Sequence, residues 1–164
     1  MLSKYSSSST TLILSSIDNV WEILSKDSHL ELVHPFCKTH KKIVWNKQEK
    51  KDIIVYLNGL IYFRTFYDWR EKQGFKLMIG KKNGKKSRVV WDLRSSKQGV
   101  VLSIIVTPYI SKKYNKVLSF MFMKIYVIPL LNYYLENVTK GIKCYVEKGI
   151  PIKKNQFGKH KWFS

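Results

Sequence analysis

The sequence predicts an α+β domain in which an antiparallel sheet of about six to seven strands packs against one long C-terminal helix. Between residues 36 and 107, apolar residues alternate with polar ones, and turns rich in Gly, Asn and Lys separate the runs. From residue 108 to 149, apolar residues recur three or four positions apart, which is the spacing of one helix face. The chain has 164 residues, 45% of them hydrophobic, which is enough for one domain with a substantial core.

The first elements are predicted from short local patterns. Residues 1–9 are Ser-rich and are predicted to form a flexible tail. Residues 10–15 are β-branched and apolar enough for a first strand. Two short helices should follow, because Ser16 or Asp18 can cap a run with apolar residues at helical spacing, and Pro35 should end the second.

The strand meander is predicted from alternation and from its turns. Strands are expected at residues 42–45, 52–58, 60–71, 75–80, 87–96 and 100–107, and Asn58-Gly59 is a strong hairpin signal. In the run 61–69, the odd-numbered residues are expected to face the core, and in the run 87–96 Val89, Trp91 and Leu93 are expected to do so. Asp68 and Asp92 would then face solvent, in the company of the arginines of these strands, where cross-strand ion pairs are their expected role.

The long helix carries more apolar residues than one buried stripe needs. Its expected inner stripe runs through Met121, Ile125 and later residues to Tyr145, and Pro129 is expected to kink it. Between residues 117 and 131 the opposite face is apolar as well, so it needs a second covering surface. Residues 117–135 have the length of a membrane span, but Lys124 and Pro129 interrupt them, and we favour a helix that lies on the core.

The charge of the chain points to an anionic partner. Thirty Lys and Arg residues against eleven Asp and Glu residues give a formal charge of +19. A charge of this size exceeds what solubility requires and favours a nucleic acid, an anionic membrane surface or an acidic protein. Most of these cations are Lys, so compositional drift is the alternative explanation. The basic clusters lie at 38–42, 47–51, 81–86, 112–116 and 153–161, and they include Lys112 and Lys113.

Cysteine usage and the N-terminal sequence bear on location. The two cysteines, Cys37 and Cys144, show no disulfide pattern, and the N-terminal apolar run is too short for a secretory signal. We therefore expect reduced thiols and a cytoplasmic location. The charge of the chain and the second apolar face of residues 117–131 add the expectation of peripheral membrane association.

The order of elements, the opening pattern TTLILSSIDNVWEILSK and the long last helix resemble the START-like, or SRPBCC, superfamily over residues 10–149. This superfamily has the helix-grip fold and includes Bet v 1, the polyketide cyclases and dehydrases, and the coenzyme Q-binding proteins. The resemblance implies a curved sheet that grips the long helix, with a hydrophobic cavity between them. It also implies that the chain binds a hydrophobic or lipid-like small molecule.

The candidate cavity residues follow from that implied geometry and from the predicted inward faces. The same residues are also expected to pack the core. His34 and Tyr126, together with the hydroxyls of Thr65 and Tyr67, are candidates for orienting a polar group of the ligand. The candidate cavity residues are Phe63, Thr65, Tyr67, Trp69, Phe75 and Trp91 on the strands and Met121, Ile125, Ile128 and Leu131 on the helix.

Residues 150–164 form a basic tail with several aromatic residues. Aromatic side chains at a terminus need a partner, so we expect the tail to fold back over apolar surface, and the alternative is insertion into a membrane or partner. As a lid it would use Phe157, Trp162 and Phe163.

Two other functions remain open at the level of sequence. A cyclase or dehydratase would use the same cavity, with Asp68 or Asp92 as the acid or base, although their expected solvent-facing position argues against it. A nucleic-acid-binding protein would use the basic clusters, but no known binding motif accompanies them. The sequence contains no nucleophile motif and no cofactor fingerprint, and its four His residues form no metal signature, so we expect neither cofactor nor metal.

Overall fold

The computed structural model describes residues 5–110 and 115–164. The chain folds as a strand, two short helices, six further strands and a long helix. The strands are β1 (Ser7–Ile13), β2 (Cys37–Trp45), β3 (Lys50–Tyr56), β4 (Ile61–Arg70), β5 (Gly74–Gly80), β6 (Ser87–Ser96) and β7 (Gly99–Thr107). The helices are α1 (Ile17–Ser25), α2 (Leu30–Val33), α3 (Lys116–Phe122) and α4 (Ile128–Lys148), with a π-helical stretch (Met123–Val127), here called the π segment, between α3 and α4.

The sheet has seven strands in the order β1-β7-β6-β5-β4-β3-β2, with every neighbouring pair antiparallel. β1 pairs with β7 because the two short helices carry the chain across the sheet before β2 begins. Helix α4 packs along β1 and also contacts α2 and β7. The predicted α+β fold, with an antiparallel sheet and one long C-terminal helix, is confirmed.

Local sequence explains the ends of the helices. Ser16 caps α1, since its hydroxyl accepts a hydrogen bond from the backbone N–H of Asn19 at 3.2 Å. α4 ends at Gly149, whose φ of 69° is the left-handed conformation that glycine adopts without strain. These caps fix where the helices enter and leave the interior.

Two strands begin earlier than the sequence predicts. β1 begins at Ser7 rather than at residue 10, so residues 7–9 belong to the sheet and not to a flexible tail. Ser7 is buried, and its hydroxyl donates a 2.5 Å hydrogen bond to Asn132 Oδ1 on α4. Because these contacts are made by small polar side chains, no apolar pattern marks them. β2 begins at Cys37 and not at residue 42. Residues 1–4 of the predicted tail, and Lys112 and Lys113 of one basic cluster, lie outside the described residues.

The predicted facing of β4 is wrong over most of its length. Its inward residues are Tyr62, Arg64 and Phe66, and Tyr67 is 54% exposed. The register of β4 on β5 shifts between Phe66 and Asp68, which marks a β-bulge. The bulge reverses the alternation, so only the last part of the strand has the predicted facing.

The first half of the long helix also departs from the predicted stripe. The helix begins at Lys116 rather than near residue 108. In the π segment the Ile128 N–H bonds to the Met123 carbonyl, five residues back, so the buried face shifts to Met123. Met121 and Ile125 are therefore 51% and 69% exposed. Pro129 follows at once and has no N–H to continue the regular hydrogen-bond pattern, which accounts for the irregular turn at this place.

Candidate functional site

A cavity of about 340 Å³ lies between the sheet and helix α4. Its walls are mainly apolar side chains that alternate along the strands and recur along the helix. The strands contribute Ile54, Leu77, Val89, Trp91, Ile104 and Val106. The helix side contributes Val127, Leu131, Leu135 and Val138.

Polar groups line part of the cavity, where β3 and β4 meet α4. Tyr56, Tyr62 and Arg64 come from the two strands, and His34 and Tyr134 come from the opposite wall. Tyr134 Oη lies 2.8 Å from His34 Nε2 and 3.1 Å from Tyr56 Oη. We refer to these five residues as the polar cluster.

The protonation of His34 follows from its surroundings. Burial, with a smaller contribution from the charge of Arg64, lowers the pKa of His34 to about 3, so the ring is neutral at ordinary pH. Its Nδ1 accepts a 3.1 Å hydrogen bond from the backbone N–H of Phe36. The ring proton is therefore on Nε2, and His34 donates to the Tyr134 hydroxyl.

Arg64 forms a buried ion pair with Asp52 of the neighbouring strand. Asp52 is the register partner of Arg64 on β3, and its two oxygens accept from Arg64 Nε and Nη2 at 2.6 Å each. His40 Nε2 lies 2.9 Å from Asp52 Oδ2 and from Arg64 Nη2. Burial by itself would raise the pKa of Asp52, but the charge of Arg64 and these hydrogen bonds outweigh it, so the pKa lies well below its usual value. The arrangement fixes the guanidinium in one orientation.

Sequence reasoning missed this network for identifiable reasons. The sequence predicts Arg64 on the solvent face of its strand and Asp52 as the first residue of the preceding strand, with no indication that the two pair in the interior. The Asn58-Gly59 hairpin signal gives this register to within one residue: a two-residue loop would pair residue 52 with 65, whereas the observed loop has three residues and pairs Asp52 with Arg64. An Asp and an Arg at facing positions of adjacent strands predict an ion pair.

The structure brings only part of the predicted cavity set together. Trp91, Leu131 and His34 line the cavity. Phe63, Thr65 and Tyr67 lie on the outer face of β4, because the alternation there is opposite to the expected one. Met121 and Ile125 are exposed on the long helix, and Ile128 and Tyr126 are half-buried outside the cavity lining.

Trp69 and Phe75 belong to a different part of the interior. Their rings stack with centroids 5.0 Å apart, and Trp21 of α1 and Trp45 of β2 pack on Trp69. This aromatic group fills the space under α1, so these two residues pack the core rather than line the cavity.

The two candidate carboxylates lie outside the cavity lining. Asp68 pairs with Arg70 at 3.0 Å and with its cross-strand neighbour Lys76 at 2.8 Å. Asp92 pairs with Arg94 at 2.7 Å. An enzyme built on this cavity would therefore lack both acids. Within residues 5–110 and 115–164, no three His, Cys, Asp or Glu side chains are grouped so as to hold a metal ion.

The C-terminal tail folds back onto the domain beside the cavity. Backbone hydrogen bonds of 2.9 Å join Ile152 to Leu32 and Asn155 to Pro35. Phe163 is buried and stacks on Tyr56 with ring centroids 4.2 Å apart. Both Trp162 and Phe163 line the cavity.

The other tail residues hold this arrangement in place. His160 is buried, and its Nε2 lies 3.0 Å from the carbonyl oxygen of Leu130 on α4. Phe157 lies outside the cavity lining and is half-buried, and its carbonyl accepts a 3.1 Å hydrogen bond from Tyr133.

One end of the cavity reaches the protein surface. Lys81, Gly84 and Lys85 of the β5–β6 turn are exposed and also line the cavity, as do Pro108 and Val127. The Lys85 ammonium lies 5.7 Å from the ring centre of Tyr109, beside Pro108. We call this end the mouth.

A large apolar surface lies on the helix that contributes Val127 to the mouth. Five apolar side chains of α3 and the π segment are more than half exposed, and we call them the α3 apolar face. Helix residues Val117–Lys148 are long and apolar enough to cross a membrane by length and composition, and 11% of the most apolar window is buried. The α3 apolar face consists of Val117, Leu118, Met121, Phe122 and Ile125.

Solved structures with similar folds share little sequence with this chain. A START superfamily protein from Mycobacterium smegmatis matches with a TM-score of 0.65 and 13% identity, over 87% of this chain and 97% of that one. SA2116 from Staphylococcus aureus, a protein of unknown function, matches with a TM-score of 0.70 and 14% identity, over 88% and 94%. StfQ, a di-domain ARO/CYC from the steffimycin biosynthetic pathway, matches with a TM-score of 0.67 and 11% identity, over 88% and 51%.

Neither a protein-family model nor a curated protein matches the sequence significantly. At identities this low, the structural likeness is informative about fold and not about activity. In each of these comparisons the likeness covers 87% or more of this chain. The protein therefore has the START-like, or SRPBCC, helix-grip fold that its sequence pattern resembles.

Proposed function

We propose that the protein binds a hydrophobic or lipid-like small molecule in the cavity and exchanges it at an anionic membrane surface. The observation that carries the proposal is the apolar cavity of about 340 Å³, which is lined at its surface end by lysines and by the helix that bears the α3 apolar face. Pockets for small molecules are typically concave and mostly apolar, with a few polar groups that fix orientation. The polar cluster supplies such groups here.

The membrane part of the proposal rests on two features near the mouth. The α3 apolar face leaves several large side chains exposed, and such a patch marks an interaction surface in a soluble domain. The β5–β6 turn carries Lys81, Lys82, Lys85 and Lys86, and a lysine close to an anionic surface contributes about 1 kcal/mol to binding. Apolar insertion together with basic residues is the usual way in which a helix lies in a membrane interface.

Packing limits how much of the long helix is available to a membrane. The α4 residues Leu135, Val138 and Ile142 are buried against the sheet side of the domain. Within the described part of the long helix, the exposed face of α3 and the π segment is therefore the part that can insert without disrupting the core. We propose shallow docking of this part and not a membrane span.

The cavity half is tested by native mass spectrometry of protein purified from its source. A co-purifying hydrophobic molecule, released when the protein unfolds, is the expected result. A homogeneous mass equal to that of the chain, together with failure to bind any apolar probe, would remove this half of the proposal.

The membrane half is tested by flotation with vesicles of phosphatidylcholine, with and without phosphatidylglycerol. We expect binding that requires phosphatidylglycerol and is reduced by Phe122→Ser combined with Ile125→Ser. The matched control is Ile43→Ser combined with Ile61→Ser, which removes two exposed apolar residues from strands β2 and β4. Absence of binding to both kinds of vesicle, or an equal loss in the two double variants, would contradict docking through the α3 apolar face.

A further inference from the structure

The polar cluster offers hydrogen-bond donors that the protein itself leaves unused. Arg64 is 4% exposed, and its Nε and Nη2 are both bonded to Asp52. Its remaining amino group, Nη1, has no hydrogen-bond partner among the described residues, while the side chain lines the cavity. A guanidinium has five N–H donors, so the Asp52 pair leaves the two on Nη1 available for a ligand.

The phenols of Tyr56 and Tyr134 add a further free donor. His34 donates its only ring proton to the Tyr134 hydroxyl. One further hydrogen bond joins the hydroxyls of Tyr134 and Tyr56. Whichever hydroxyl donates in that bond, the other O–H proton has no acceptor among the described residues. Both side chains line the cavity, so the unpaired proton is available there.

Strand register places Tyr56 and Arg64 on one wall of the cavity, and Tyr134 faces them from α4. Tyr56 and Tyr62 lie on adjacent strands with ring centroids 5.6 Å apart, and Arg64 follows Tyr62 on the same face of β4. The obvious acceptors are already occupied, because His34 Nδ1 accepts from Phe36 and both Asp52 oxygens accept from Arg64. This part of the cavity is therefore rich in donors, carries a guanidinium and lacks a free carboxylate among the described residues.

From this arrangement we infer that the ligand is a single-chain apolar molecule that ends in a carboxylate, with the carboxylate bound by Arg64 Nη1 and the free phenol proton. The inference rests on the proposed binding function and deepens it. A carboxylate has about four lone-pair sites for these donors, and its hydrogen bonds to a guanidinium are about twice as strong as neutral ones. An alcohol oxygen can also accept from these donors, but it is uncharged and gains less from the guanidinium.

The size of the cavity favours one chain over two. Small-molecule pockets range from about 300 to 1,000 Å³, and this cavity of about 340 Å³ is at the lower limit. The apolar side chains of Leu131, Leu135 and Val138 line the wall opposite the strands and would contact the chain of such a ligand.

The test compares three ligands with the same chain on the wild-type protein. Dodecanoate, methyl dodecanoate and dodecanol each compete with Nile red, a neutral apolar dye that needs only the cavity. We expect dodecanoate to displace the dye at a concentration at least tenfold lower than either neutral compound. Equal potency of the three compounds, with the dye bound, would overturn the carboxylate inference and leave the proposed function intact. Failure of the dye and all three compounds to bind would overturn both.

A variant pair assigns the effect to Arg64. Arg64→Lys keeps a cation beside Asp52 but removes the free amino group, and we expect it to abolish the preference for dodecanoate while Nile red still binds. Arg70→Lys is the matched control, since Arg70 is exposed on the same strand and pairs with Asp68. An unchanged preference in Arg64→Lys would overturn the assignment of the carboxylate to Arg64. Should this variant fail to fold, the wild-type ligand series decides the inference.

Discussion

Arg64 and Asp52 face each other on adjacent strands and form a bidentate ion pair inside the protein, with two N–O distances of 2.6 Å. Both side chains are almost completely buried, at 4% and 1% exposure. Removal of one partner leaves an uncompensated charge in the interior, whereas an apolar pair of similar volume does not. The pair therefore couples the stability of the domain to the orientation of a cavity residue.

Arg64→Met is expected to lower the free energy of unfolding by about 3–5 kcal/mol, because it strands the Asp52 charge. Asp52→Leu should have a similar effect. The double variant should cost much less than the sum of the two, since it leaves no unpaired charge. Urea denaturation of the four proteins measures this coupling, and strictly additive losses would contradict it.

The buried histidines predict loss of stability in mild acid. Burial lowers the pKa of His34 to about 3, and burial also lowers the pKa of His29 and of His40. The unfolded chain binds protons at these residues below about pH 6.5, whereas the folded protein does not. The free energy of unfolding should thus fall as the pH falls from about 6.5, by up to about 1.4 kcal/mol per pH unit for each such histidine.

Urea denaturation between pH 7 and pH 4 measures this slope, and His34→Gln isolates one contribution. Glutamine retains a donor for Tyr134 but does not titrate. The number of protons taken up on unfolding should therefore decrease by up to about one, and the slope by up to about 1.4 kcal/mol per pH unit. A slope unchanged by this substitution would show that His34 does not remain neutral in the folded protein.

Gly141 is expected to be intolerant of alanine, although alanine is normally the better helix former by about 1 kcal/mol. A Cβ at this position would lie 2.2 Å from the carbonyl oxygen of Val33, where α4 crosses the end of α2. Gly141→Ala should therefore destabilise the protein by several kcal/mol, of the order of an overpacked core. Gly149→Ala is the control, since a Cβ there meets nothing within 4 Å and only the left-handed cap conformation is strained. A stabilised Gly141→Ala variant would show that the helices do not approach this closely.

Phe163 is expected to act as the removable cover of the polar cluster. Its ring stacks on Tyr56 and lies 4.8 Å from the centre of Tyr134. Phe163→Ala should lower stability by about 3–5 kcal/mol at most and should speed the dissociation of Nile red measured by stopped-flow fluorescence. Phe157→Ala, in the same tail but outside the cavity lining, should leave the dissociation rate unchanged. Equal dissociation rates in Phe163→Ala and Phe157→Ala would contradict a lid. A wild-type dissociation rate in a chain truncated after Ile152 would contradict it as well.

The parts of the fold that the sequence predicts well are those governed by simple periodicity. Val89, Trp91 and Leu93 alternate inward as expected because β6 has no irregularity. Leu135 and Ile142 occupy the predicted stripe because α4 is regular beyond Pro129. Local pattern and tertiary packing agree at these positions.

The parts that were predicted wrongly lie next to local irregularities. One inserted residue near Phe66 reverses the facing of β4, and one wide turn before Ile128 rotates the start of the long helix. A repeat of two or of 3.6 residues does not reveal where an extra residue is inserted. The residues that face the core on one side of an insertion therefore do not predict which residues face it on the other side. As a result, half of the candidate cavity was assigned to the wrong face, and the arginine that lines the cavity was assigned to solvent.

A titration with Nile red measures whether the cavity between the sheet and α4 binds an apolar molecule. Val106→Phe adds bulk to a side chain that lines the cavity, and Ile105→Phe adds the same bulk on the other face of β7. If the dye binds in this cavity, the wild-type protein and Ile105→Phe should bind it at one site and with equal affinity. Val106→Phe, still folded, should bind it at least tenfold more weakly. Equal affinity in all three proteins would show that the dye binds elsewhere and would contradict binding of an apolar molecule in the cavity.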